Sequence, residues 1–223
     1  MEVRARTIPG RRVPSELQPT KDVMTEVGID EHRLRSWLAE NGLALITSFD
    51  VTQRDRADKV QPYNLVVKDP DTGAPGQKSV ANSGKLYEVS YFQLVEGDAL
   101  RAYAGYGPGE PVQPGRRIIG QFLEDARLGP WLSSKLPGGV KLGADGSMAA
   151  FVPAQKPLSW QLTDAAGNAV VRERDWLSFS AGEIRTCQAC HGVNKQSQTG
   201  APPPSSKPAA LRALLTQWKA ANP

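Results

Sequence analysis

Cysteine and histidine are nearly absent from this chain: 223 residues carry two of each. Methionine is almost as scarce, at Met1, Met24 and Met148. No apolar run approaches the length of a membrane-spanning helix. The opening Met1-Glu2-Val3-Arg4-Ala5-Arg6 has no apolar signal core. No serine triad, paired-acid motif or phosphate loop stands out. Gly105-Tyr106-Gly107-Pro108-Gly109 lacks the Lys-Ser/Thr ending of a phosphate loop and reads as a plain turn.

What is there is concentrated. Cys187-Gln188-Ala189-Cys190-His191 holds both cysteines and one of the two histidines in five positions. CxxCH is the haem c attachment signature: two thiols add across the haem vinyl groups, and the following imidazole ligates iron. Cys187 and Cys190 are thus the expected thioether positions and His191 the proximal iron ligand of one haem c. Two other readings compete. A redox dithiol has no need of His191, and a zinc site would lack a fourth ligand near at hand. With both cysteines spent on haem, no structural disulfide is available.

Only 32 residues follow His191, and none is Met or His. Any sixth iron ligand must therefore come from upstream, with Met148 first, then Met24 and His32. An open sixth position is the other possibility, and it would suit a haem enzyme or gas-binding domain. Arg172, Arg174 and Tyr103 are the polar candidates for such a distal pocket. Haem c is attached outside the bacterial cytoplasm, so the expected location is periplasmic or otherwise exported. The missing signal core then implies a mature chain or a fragment of a larger protein.

Charge is unevenly placed. Residues 181–223 hold five bases (Arg185, Lys195, Lys207, Arg212, Lys219) against one acid, Glu183, which accounts for the whole net charge of +4. Such a segment could steer an acidic redox partner, although side chains that offset the haem propionates or simply lie in solvent are the simpler reading. The bases are scattered and not interleaved with aromatics, which argues against nucleic acid.

The texture is mostly β: a sandwich-like body with short peripheral helices and a C-terminal helix packing near the haem. Residues 1–20 read as an irregular arm, and 21–223 as one β-rich haem domain with its haem-bearing part at 145–223. Asp30 to Glu40 reads as a helix with Leu34, Trp37 and Leu38 on one face and Asn41-Gly42 as its stop. Strands are expected at Leu43–Thr47, Tyr63–Val67, Lys85–Val95, Leu100–Tyr103, Ser147–Val152, Leu158–Thr163 and Ala169–Arg172, divided by turn sequences. A short helix is expected within Gln121–Leu132. The final helix begins near Pro208, and Leu211, Leu214, Leu215 and Trp218 fall at i, i+3, i+4 and i+7 to make one apolar stripe.

The run from Asp145-Gly146-Ser147 through Phe151-Val152-Pro153-Ala154, Gln161-Leu162, Asp164-Ala165-Ala166-Gly167 and Trp176 to Gly182-Glu183-Ile184-Arg185-Thr186-Cys187-Gln188-Ala189-Cys190-His191 resembles the haem-bearing domain of hydrazine-synthase-alpha-like proteins. The resemblance covers about a third of the chain. It implies an exported c-type haem protein with a β-rich haem domain. The further haem motifs of a multihaem catalytic subunit are absent from this sequence, so it implies architecture and haem rather than hydrazine chemistry. The function expected is electron transfer by a single haem, with a haem staple inside a larger protein as a third possibility.

Overall fold

The computed structural model describes residues 19–53, 63–64, 67–68, 75–76, 88–98, 101–103, 108, 113–115, 119–173, 175–187, 204 and 207–223. Three α-helices lie among them: α1 Pro19–Val27, α2 Glu31–Glu40 and α3 Ala209–Ala221. Thirteen strands follow in order: β1 Leu43–Ser48, β2 Tyr63–Asn64, β3 Val67–Lys68, β4 Pro75–Gly76, β5 Tyr91–Asp98, β6 Arg101–Tyr103, β7 Gln113–Gly115, β8 Ile119–Phe122, β9 Gly139–Lys141, β10 Met148–Pro153, β11 Leu158–Thr163, β12 Ala169–Arg172 and β13 Ile184–Cys187.

The body is mostly β, as the sequence texture predicts. One sheet has the order β2-β12-β11-β5-β8, with β9 also paired to β5. A second has the order β10-β1-β13; β10 runs antiparallel to β1 and β13 parallel to it. Two short ribbons, β3-β4 and β6-β7, complete the set. Both β1 and β10 are buried at every position, so their sheet is covered on both faces.

Aromatic rings form the layer between that sheet and the helices. Trp37 of α2 meets Trp131 edge-on at 5.6 Å, Phe151 of β10 at 5.3 Å and Trp218 of α3 edge-on at 5.7 Å. The apolar stripe of α3 is buried throughout, at Leu211, Leu214, Leu215 and Trp218. These residues belong to one hydrophobic cluster that also draws on α1, α2 and both large sheets.

Local chemistry explains several element ends. Asp30 caps α2 by accepting the Arg33 N–H at 2.7 Å, and Gly42 turns the chain at φ +62°. The β11–β12 turn is closed by Asp164, whose Oδ1 accepts the N–H groups of Ala166 and Asn168. Both flanking strands fall at the expected residues.

Three expectations need correction. Residues 1–18 of the expected arm lie outside the described residues, and Pro19 and Thr20 already belong to α1. That helix buries Val23 and Met24 on one face, with proline in its first turn where no N–H is needed. No α-helix occupies Gln121–Leu132. Gln121 and Phe122 extend β8 along β5, Asp125 then closes a turn, and only a 3-10 turn at Gly129–Trp131 remains helical. Finally, Ile184–Cys187 is a strand, which the turn spacing did not reveal.

Candidate functional site

The CxxCH motif begins on the last residue of strand β13. Cys187 pairs with Ser48 of β1, and Ser48 pairs on its other side with Met148 of β10. Directly paired residues share a face, so Met148, Ser48 and Cys187 form one row across the sheet. Adjacent strands are about 4.8 Å apart, which sets Met148 about 10 Å from Cys187. Cys190 and His191 lie outside the described residues.

Cys187 is a free thiol, half-buried at the strand end. Burial pushes its thiol up to about 11; the carboxylates of Glu183 and Glu173 add to the rise, and the Arg185 guanidinium opposes it. Arg185 pairs with Glu183 at 2.5 Å and lies 4.9 Å from the centroid of the Phe179 ring. This setting disfavours a thiolate. Redox exchange and zinc ligation both run through the thiolate. A thioether carries no charge and loses nothing on burial, so Cys187, the one described residue of the motif, is compatible with covalent attachment of a haem.

The sixth-ligand candidates separate clearly. Met148 is 3% exposed and shares the row and face of Cys187. Met24 is buried in α1, within the hydrophobic cluster. His32 is exposed on α2, on the side away from Leu34 and Leu38. Of the polar distal candidates, Arg172 is tied to Gln161, whose Oε1 accepts from its Nε at 3.1 Å and Nη2 at 2.7 Å. Tyr103 contributes to β6, and Arg174 is outside the described residues.

The N-terminus of α3 is fastened next to this row. Pro208 stands at its N-cap without a side-chain bond, and the missing acceptors come from far along the chain. Asp145 Oδ2 accepts the Ala209 N–H, and Ser147 Oγ accepts the Ala210 N–H, both at 2.9 Å. Ser147 Oγ also donates to Asp145 Oδ1. Asp145-Gly146-Ser147 is therefore both the turn into β10 and the cap of α3, immediately before Met148. Sequence reading found the turn and missed the cap, because the partners are more than sixty positions away.

The basic C-terminal segment is largely engaged within the chain. Glu26 of α1 binds Lys207 at 2.9 Å and Arg212 at 2.8 Å, and the Lys207 hydrogen bond holds its carboxyl below the usual range. Lys219 donates to the Val27 carbonyl, and Arg185 pairs with Glu183. These contacts lace α1 to α3, so the described bases are paired within the chain, an arrangement that neither partner steering nor simple solvation anticipates.

The family described as "Hydrazine synthase alpha subunit middle domain" matches residues 90–192. That stretch runs from the approach to β5 through β13 and includes the whole CxxCH motif. It starts well upstream of the 145–223 region singled out above and stops short of α3. Among solved structures, Kuenenia stuttgartiensis Hydrazine Synthase is similar at 16% identity, with a TM-score of 0.39 over 76% of this chain. This chain spans 20% of that one. No curated protein matches.

Proposed function

We propose that this chain is an exported, single-haem c-type module that transfers electrons as part of a larger protein or complex. The carrying observation is the CxxCH motif itself, which begins at half-buried Cys187 on the end of β13, in one row with Ser48 and Met148. Cys187 and Cys190 would hold the macrocycle, His191 would supply the proximal imidazole, and Met148, on the row of Cys187, is the candidate for the sixth position. The group supplies one-electron exchange between ferric and ferrous iron. The chain's own part is to shield it from solvent with apolar side chains and to fix its ligands, both of which tune potential.

The similarity of residues 90–192 to a domain of a synthase subunit supports a setting within a larger assembly. Among the described residues no helix is long and apolar enough to cross a membrane. A redox partner docking by surface charge would have to meet other bases than Arg185, Lys207, Arg212 and Lys219, which are engaged internally.

The test is spectroscopic. Protein exported from a host with haem c maturation is reduced with and without carbon monoxide. An unchanged ferrous spectrum supports a six-coordinate relay, and Met148→Ala should then make the iron bind carbon monoxide. Rapid, stoichiometric binding by the wild type would refute the relay and favour a haem enzyme or gas-binding domain.

A further inference from the structure

The sheet containing β5, β11 and β12 carries an unusual outer face. Strand alternation puts Gln93, Val95, Ser159, Gln161, Phe122 and Arg172 on it, as their register pairs require. Two of these are buried amides: Gln93 is 1% and Gln161 5% exposed. They form a continuous relay across three strands. Arg172 donates to Gln161 Oε1, Gln161 Nε2 to Gln93 Oε1 at 2.7 Å, and Gln93 Nε2 to the Pro137 carbonyl at 2.9 Å. Each amide is thereby fixed in orientation, and so is the guanidinium at the end of the chain.

Beside this relay lies a groove of about 600 Å³, lined by Phe122, Trp176, Gln161, Arg172 and Glu173 among others. Phe122 is 46% exposed and is the one large exposed hydrophobic side chain among the described residues. The Trp176 ring closes over Gly120, where an added Cβ would come within 3.3 Å of the indole and 2.9 Å of Val95 Cγ1. Glycine at 120 is what allows that ring to lie against the sheet. Arg172 uses two of its N–H groups on Gln161 and meets no carboxylate among the described residues, so the remaining fork faces an aromatic groove unpaired.

We infer that this groove binds a flat conjugated molecule carrying a carboxylate, with the flat body between Phe122 and Trp176 and the carboxylate on Arg172. A planar fork matches a carboxylate in two parallel hydrogen bonds, and aromatic walls suit a flat apolar body. Two sources share this chemistry: the propionate edge of the haem proposed above, and a diffusible ligand. Only the first source rests on the haem reading. In its favour, Glu173 of the groove lies near enough to Cys187 to help raise its thiol.

The test uses metal-free deuteroporphyrin IX and its dimethyl ester, read by quenching of tryptophan fluorescence. The Cys187→Ala/Cys190→Ala chain, which cannot attach haem, should bind the free acid saturably at one per chain. Arg172→Gln, esterification of the probe and Trp176→Ala should each weaken binding about tenfold or more. A haem-loaded wild type that refuses the probe identifies the haem edge as occupant, and one that still binds it identifies a diffusible ligand. Absence of saturable binding to the haem-free chain, or affinity unmoved by both Arg172→Gln and esterification, would overturn the inference. Failure of the wild type to attach haem would sink the proposed function while leaving the haem-free titration to decide the groove.

Discussion

Replacing Trp218 by alanine should be among the most damaging single changes in this chain. The side chain is 2% exposed, sits 5.7 Å edge-on to Trp37, and has the Arg33 guanidinium 5.9 Å above its ring. Truncating a buried tryptophan costs about 3–5 kcal/mol through lost transfer energy and the cavity left behind. The net stability of a domain is only about 5–15 kcal/mol, so a loss near the middle of that range should leave the protein marginal. With a urea m-value of about 2–3 kcal/mol/M, the unfolding midpoint should fall by about 1–2.5 M. Trp218→Phe sharpens the test. The indole Nε1 is buried without a hydrogen-bond partner among the described residues, so phenylalanine removes an unsatisfied donor while keeping a ring against Trp37. It should cost less than about 1.5 kcal/mol. Urea titrations of the three proteins in the same haem state decide it. An alanine variant within about 1 kcal/mol of wild type, or a phenylalanine variant as unstable as alanine, would refute the packing described here.

Asp145→Ala removes the acceptor for the first N–H of α3 and unsettles Ser147; it should cost about 0.5–2 kcal/mol in the same titration, and a neutral result would contradict the long-range cap. In the haem-free Cys190→Ala chain, the rate of Cys187 alkylation by iodoacetamide should keep rising with pH toward about 11; a midpoint near the ordinary thiol value of about 8.5 would contradict its burial. The hydrogen bond from Arg127 holds the Asp125 carboxyl below its usual range. Its contribution to stability is therefore complete above the unfolded carboxylate value of about 3.9 and is lost as pH falls through the lower folded value. Asp125→Asn should flatten that acid limb of the stability profile, and an unchanged limb would show that the pair adds nothing.

Where neighbours in sequence set the structure, the reading succeeded. The β11–β12 hairpin falls at the expected residues because Asp164 closes its own turn, and α2 because Asp30 caps it and Gly42 stops it. The stripe of α3 was legible from spacing alone. The failures share a different cause. Strand β13 exists because β1 offers a parallel edge about 140 positions earlier, a partner no local pattern announces. Gln121 and Phe122 could have continued a helix, but pairing with β5 drew them into a strand and Pro130 confined what followed to a single tight turn. At the site, the haem proposed for Cys187, Cys190 and His191 rests on their spacing alone. The row joining Cys187 to Ser48 and Met148 was not legible there, since it depends on two strand pairings at once. The relay from Arg172 to Gln93 was hidden for the same reason, although Gln161 and Arg172 each stand in expected strands.

The central claim is covalent attachment of one haem through this motif. Intact-mass spectrometry of the denatured chain, exported from a host with haem c maturation, tests it most directly. The account requires a wild-type mass increased by one haem per polypeptide, and the bare polypeptide mass for Cys187→Ala/Cys190→Ala. A wild-type chain that loses its haem on denaturation, or never carries one, would contradict it.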